Sequence, residues 1–423
     1  MKTVRSHWIA EVPSGWRIDT PRFAFSVRGD RAKPGMEQMT ASQQYGVIPQ
    51  SEYIKKTGSH VVVVEKDFSI LKAVYPGDFV IHMRSFQGGL ELSEVKGCTS
   101  SAYVMLIPGP QIHSARYYRW VFKCDGYINE LQSTSNLVRD GQAMRWANFI
   151  QVPIPFPPPE VQDSIAQYLD RETERIEKLR GSIRAQIDAL EAYRSSLISQ
   201  AVYRGIDNSV DLTESGIEWV GKVPSHWQIL PIRTLFTEVK QKNVSLETST
   251  ALQFKMGRIV RKANFDPSVD SEVERMMRGY TLVSEGDIII NGLNLNYDFV
   301  TQRVAKVVDS GAITSAYLAI RPKGLLIDST FATYCFKAWD AAKAFHNIGE
   351  GVRKILNYNL LKRLPIAFPE IDEQLRICSF LDSRLAEIDD VVLKKERQLA
   401  VLDSFKSSLI YEMVTGKREV PVR

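Results

Sequence analysis

The chain has 423 residues, of which 24% are charged and 44% hydrophobic, with a net charge of +5. That composition is ordinary for a globular protein, and at roughly 100–200 residues per domain it predicts two to four cores. No apolar run reaches the ~20 residues needed to cross a bilayer, and the segment before Trp8 lacks the apolar stretch of a signal peptide, so a cytoplasmic protein with no membrane partner is expected.

In chain order, Trp8-Ile9-Ala10-Glu11-Val12-Pro13-Ser14-Gly15-Trp16 comes first, followed by the β-branched run Val61–Val64. Gly77-Asp78 is a turn leading into a strand at Phe79-Val80-Ile81. Ser101-Ala102-Tyr103 follows, with Pro108 five residues on, and the two Cys in this half, Cys98 and Cys124, stand far apart. Pro153-Ile154-Pro155-Phe156-Pro157 then gives way to a helix, with Glu160 and Asp163 in its first turn, where acids suit the helix dipole. Its apolar stripe runs Ile165, Leu169, Ile176, Leu179, Ile183, Ile187, Leu190, Tyr193, Leu197, Ala201.

From Trp219 the same blocks return in the same order. Trp219–Trp227 repeats the opening, 211 residues after Trp8. Gly286–Ile290, Ser315-Ala316-Tyr317, Pro365–Pro369 and finally Ser407-Ser408-Leu409-Ile410, echoing Ser195–Ile198, complete the repeat. The second helical stripe is Leu375, Leu381, Leu385, Ile388, Val392, Leu399, Leu402, Phe405, Leu409, Met413. Alternating gaps of three and four are a coiled-coil pattern, and a lone helix cannot bury such a stripe. The expected fold is therefore α+β: two mixed α/β globules joined by two long helices packed as an antiparallel coiled coil, in a pseudo-two-fold repeat. The expected division is 1–156, a helical spacer 157–206, 207–368, and a second helical spacer 369–423. Cys335 and Cys378 complete a set of four cysteines with no Cys-x-x-Cys pair, read as buried thiols.

No motif for catalysis survives inspection: there is no P-loop, no Gly-x-Ser-x-Gly, no His-Glu-x-x-His, and no methyl-donor loop with Asn/Asp-Pro-Pro-Tyr. Asp78 with Glu94-Val95-Lys96 resembles a nuclease metal set, but Asp287 in the repeat has no such partner, so Asp78 is read as a turn residue. No catalytic, metal or cofactor-binding residue is assigned. If the chain reads a polyanion, the specifying residues belong in what differs between the halves. These are the loops His82–Gly89, with Arg84, Ser85 and Gln87, and Asn291–Tyr297, with Asn291, Asn294, Asn296 and Tyr297. Arg suits guanine and Asn or Gln suits adenine, while glycine lets a backbone approach a groove. Lys255, Arg258, Arg261 and Lys262 are candidates for phosphate contacts, as are Arg116 and Arg145, with a solvated mixed-charge surface as the alternative. Arg353 and Lys354, in a loop before the second helix, are further candidates for contact near the helical junction.

The layout resembles the specificity subunits of type I restriction–modification enzymes over nearly the whole chain. The likeness rests on Val-Pro-x-x-Trp (Val12–Trp16 and Val223–Trp227), the Gly-Asp strands and the run Arg84–Gly89. It also rests on Pro-Ile-x-Phe-Pro leading to Gln162 with Leu169-Asp170, and to Gln374 with Leu381-Asp382. The resemblance implies two target recognition domains, each reading half of a split double-stranded DNA site, with the helices setting the gap. It implies two modification subunits as partners, joined by restriction and translocase subunits. S-adenosylmethionine, ATP and Mg2+ would bind those partners and none would bind this chain. The rival readings are an enzyme acting alone and a two-headed helical scaffold for protein or carbohydrate partners.

Overall fold

The computed structural model describes residues 6–59, 68–83, 85–134, 144–255, 257–263, 265, 268, 270–297, 302–351 and 354–421. The Val61–Val64 run lies outside them. The chain forms two compact units, Met1–Ile183 with Glu396–Arg423, and Arg184–Lys395. No helix among the described residues is long and apolar enough to cross a membrane.

The first unit is built on an antiparallel sheet ordered Phe25–Val27, Val104–Pro108, Phe79–Ile81, Glu91–Leu92. The helices Ala115–Lys123 and Asp125–Ser133 supply its core partners Tyr118, Val121, Phe122 and Tyr127. Phe25, Phe79, Phe122 and Phe149 meet there with ring centroids 5.0–5.8 Å apart, largely edge to face, as aromatic quadrupoles prefer. A hairpin, Met39–Ser42 with Gly46–Pro49, packs on this sheet by burying Met39 and Val47 against Val80 and Met105, and Arg17–Asp19 pairs with Ile154–Phe156.

The second unit has the same strand order: Phe236–Glu238, Leu318–Pro322, Ile288–Ile290, Val304–Lys306. Gln228–Pro231 pairs with Pro365–Phe368, as their counterparts do. Its hairpin, Ala251–Lys255 with Arg258–Arg261, extends into a second four-stranded sheet through Gly311–Ile313 and Thr281–Val283.

The repeated sequence blocks are the joints of this scaffold. Gly77 and Gly286 adopt φ of +92° and +87°, which a side chain would strain. The following carboxylates accept from Tyr75 N and Ser284 N. Each then holds an arginine through both oxygens, Arg28 on Asp78 at 2.7 Å and Arg321 on Asp287 at 2.6–2.7 Å. The acid is repeated, but its arginine is placed differently in each unit: Arg28 follows the strand Phe25–Val27, whereas Arg321 lies within Leu318–Pro322.

The long helices are Pro159–Arg204 and Ile371–Val414. Gln162 Nε2 donates to Pro157 O and Gln374 Nε2 to Pro369 O. Their Oε1 atoms accept from Ser114 N and Asp328 N, so each glutamine ties its helix to the start of a shorter one. One heptad or so later, Asp170 accepts from Trp120 Nε1 and Asp382 from Tyr334 Oη.

Within each unit the two long helices pack side by side and antiparallel. In the first, Glu177 meets Lys406 at 2.7 Å and Arg180 meets Asp403 at 2.9 Å, so one number rises as the other falls. In the second, Gln186 meets Lys395 and Arg194 meets Asp389. The stripe expectation needs one correction. Leu179, Tyr193, Leu375 and Phe405 are 50%, 56%, 51% and 49% exposed. The positions beside them, Arg180, Arg194 and Lys406, are more shielded and hold the seam with ion pairs. A polar residue at a seam position selects one register, because any slip would strand its charge against apolar groups.

Candidate nucleic-acid interface

In the first unit the glycine-rich segment after Ile81 turns inward. A Cβ on Gly89, at φ +77°, would lie 1.9 Å from Phe122 O, and one on Gly88 would lie 2.4 Å from Gln43 Cδ. These glycines therefore admit a helix and a hairpin, where a groove contact had been expected. Ser85 is a correction of the same kind. It is fully buried, and its Oγ accepts from His82 N at 2.9 Å to cap the turn Ser85–Gly88, so it cannot reach a base edge. Gln87 is exposed on that turn, and Arg84 lies outside the described residues.

Arg116 is drawn to the first long helix. Its guanidinium, with that of Arg119, meets the Asp170 carboxylate that also accepts from Trp120. This makes Arg116 part of the joint between helices, although it remains 57% exposed at the side chain. Arg145 is exposed and opens a short helical turn, its backbone N donating to Asn148 Oδ1 at 3.1 Å. Beside the hairpin lies a cleft of about 860 Å³, missed by reasoning from sequence. Gln43, Gln44 and Tyr45 at the hairpin tip form one wall, and Arg119, Lys123, Arg180 and Lys406 bring positive charge to the others. Glu91, Glu94, Asp125 and Asp403 balance it. Gly46, at φ +68° in the hairpin turn, is a residue type from which a turn at this wall could be read.

Asp78 does not behave as a metal ligand in this arrangement. Both its oxygens face Arg28, and Lys96 lies over the Tyr75 ring at 5.8 Å. Among the described residues no group of three His, Cys, Asp or Glu is placed to hold a metal ion.

The second unit brings two of the separately predicted segments together. Leu295 N donates to Lys354 O at 3.1 Å and Leu356 N to Gly292 O at 2.9 Å, so the loop Asn291–Tyr297 lies against the loop after Gly349. Contact is close: a Cβ on Gly292 would lie 2.5 Å from Leu356 O. Asn291 turns its Oδ1 to Leu293 N at 3.2 Å, which makes it a turn residue. Asn296 is half-buried. Asn294 and Lys354 are exposed at φ +52° and +41°, and Tyr297 is 73% exposed. Lys354 Nζ also donates to His346 O at 3.1 Å, steadying the second loop. Arg353 lies outside the described residues.

The anchor of the loop Asn291–Tyr297 is Arg303, which sequence reasoning passed over. It is 1% exposed and donates through one guanidinium nitrogen to Asn291 O at 3.0 Å and Leu293 O at 2.8 Å. Its backbone N donates to Asp340 Oδ2 at 2.8 Å, and burial raises the pKa of that carboxyl against the pull of its cationic neighbours. A rigid arginine underneath lets Asn294 and Tyr297 project from a loop that would otherwise need its own core.

Lys255, Arg258, Arg261 and Lys262 all belong to the hairpin. Lys255 and Arg258 face each other across its tip, Arg261 lies 3.8 Å from Asp309, and Lys262 stacks on Phe265 at 3.8 Å. The hairpin strand Arg258–Arg261 is an edge strand, and its charged ends discourage pairing with another sheet. All four cysteines are free and buried, and burial pushes the Cys124 thiol up to about 11 and that of Cys378 up to about 12.

No family model matches the chain. Solved structures do. A chain from a structure described by the complex assembly and conformational transition of the type I R-M system matches with a TM-score of 0.71 at 13% identity, over 96% of this chain and 100% of its own. The HsdS subunit from Thermoanaerobacter tengcongensis matches with a TM-score of 0.49 at 14% identity, over 96% and 98%. The type I restriction-modification S subunit from M. genitalium matches with 0.34 at 11%, over 96% of each chain. The first of these shows a shared fold from end to end.

Proposed function

We propose that this chain is the DNA-recognition subunit of a type I restriction–modification complex and carries no catalytic site of its own. The observation that carries the reading is the duplication itself. Two units share strand order, turns and helix joints, yet the loops Ser85–Gly89 and Asn291–Tyr297 that follow their matching central strands differ in residues and in packing, as expected when one scaffold must read two different half-sites. The end-to-end fold shared with a chain of the type I R-M system supports it.

In this reading residues 1–156 and 207–368 are the recognition domains, and 157–206 and 369–423 are helical spacers that set the gap. Asn294 and Tyr297 are the best-presented residues for base edges in the second domain, and Gln87 and the Gln43-Gln44-Tyr45 tip in the first. Lys255, Arg261 and Lys354 contact backbone phosphates. Two modification subunits supply S-adenosylmethionine and transfer its methyl group to adenine N6. ATP and Mg2+ belong to restriction subunits.

The test is to express the chain with its modification subunit and map methylated adenines across the host genome. One two-part motif with a fixed gap is the expected result. A complex that assembles, binds the methyl donor and methylates nothing overturns the reading in favour of a scaffold.

A further inference from the structure

The two units treat one repeated lysine differently. Ser114 and Asp328 open matching helices under matching glutamines, and Trp120 and Tyr334 donate to matching aspartates. Three residues on from each stand Lys123 and Lys337. In the first unit Lys123 Nζ donates to Gly88 O at 2.9 Å and forms an ion pair with Glu91. Glu91 lies opposite Val80 in the strand register, and the residue opposite the equivalent Ile289 is Ala305. The second unit has thus kept the lysine and lost its carboxylate.

Lys337 is half-buried and forms no ion pair among the described residues. Burial lowers its pKa, Arg194 and Arg258 push it the same way, and Asp382 pushes back. Lys337 Nζ instead overlies the Tyr334 ring at 5.9 Å, and the one acid that acts on it, Asp382, accepts from the Tyr334 hydroxyl without forming an ion pair with the lysine. Arg258 is exposed at the hairpin tip and is likewise without an ion pair among the described residues. Its strand packs against Val304–Lys306, on which the helix carrying Lys337 lies. Two cations that repel each other beside a half-buried position call for an anion from outside, and a phosphodiester is the anion that the proposed function brings.

We propose that Lys337 and Arg258 together hold one DNA backbone phosphate between the Ala251–Arg261 hairpin and the helix Ser329–Ala341. The site rests on the DNA-reading function and adds a contact that carries no base preference.

The experiment is fluorescence anisotropy of the full chain with a labelled random-sequence duplex, repeated over a KCl series. The K337Q/R258Q double variant should flatten the slope of log affinity against log salt by about 0.9, the contribution of one B-DNA phosphate. Lys337→Arg should keep the wild-type slope. An unchanged slope in the double variant, with the wild type binding normally, overturns this site alone. A wild type that binds no duplex overturns the functional reading as well. If Lys337→Gln unfolds the chain, the charge reversal Arg258→Glu at the exposed tip decides, because it repels the phosphate and pairs with Lys337: a wild-type slope there also sinks the shared phosphate.

Discussion

Asp170 and Asp382 occupy the same place in the repeat and perform the same task with different partners. Asp170 gathers Trp120, Arg119 and Arg116, whereas Asp382 takes the Tyr334 hydroxyl. The partners differ because only the acid and an aromatic donor are needed to hold a short helix against a long one. Asp170→Ala leaves a part-buried indole N–H and two guanidinium groups without their acceptor. It should cost roughly 1–3 kcal/mol, and more than Asp382→Ala, which strands one hydroxyl. Urea denaturation midpoints of the two variants check this; an equal or larger loss at Asp382 contradicts it. Ser85 shows the opposite lesson at this scale. A residue whose chemistry suits a base edge is used inside the fold, and only burial reveals it.

At the scale of the helices, the seam and the outer face are one residue apart. Ile176 and Ile183 are both 6% exposed, while Tyr193 is 56% exposed. Truncating Ile176 or Ile183 to alanine should cost about 2–5 kcal/mol through lost burial and the cavity left behind. Tyr193→Ser should stay within about 0.5 kcal/mol in the isolated chain. Thermal melts separate these outcomes, and a large loss from Tyr193→Ser would show that the register described here is wrong. The heptad spacing announced a pair of packed helices from sequence alone. It placed Ile176 and Ile183 inside but also Leu179 and Tyr193, which are exposed, because Arg180, Arg194 and Lys406 look like surface residues until their partners across the seam are known.

For the molecule as a whole, each unit combines its own globular part with the start of one long helix and the end of the other. Pro13 and Trp16 close on Gly416 after the second helix, and Pro224 and Trp227 on Gly205 after the first. The repeated Val-Pro-x-x-Trp block is therefore a lid on the far end of the other repeat's helix. Modularity follows. Exchanging residues 17–150 for the corresponding segment of another such subunit should change one half of the methylated motif and leave the other half and the gap as they were. Methylome sequencing of the chimera reads this directly, and changes in both halves would refute independent recognition.

The linear order of residues was enough to reveal the duplication, the α+β class and the two long helices. Those features come from local signals: glycine at positive φ, proline before a helix, and apolar residues at gaps of three and four. The repeated Gln162, Asp170, Gln374 and Asp382 were visible as a motif, but their use as joints needed partners distant in the chain. The same holds for the candidate interface. Asn294, Tyr297 and Lys354 were legible as polar loop residues, yet their two loops meet through backbone hydrogen bonds, Leu295 N to Lys354 O and Leu356 N to Gly292 O, between segments far apart in sequence. The lysine without its carboxylate at Lys337 appears only when the strand register shows Ala305 standing where Glu91 stands in the other unit. Local chain chemistry decides which elements form, whereas the pairing of a charge is decided by whichever residue the packed fold sets opposite it.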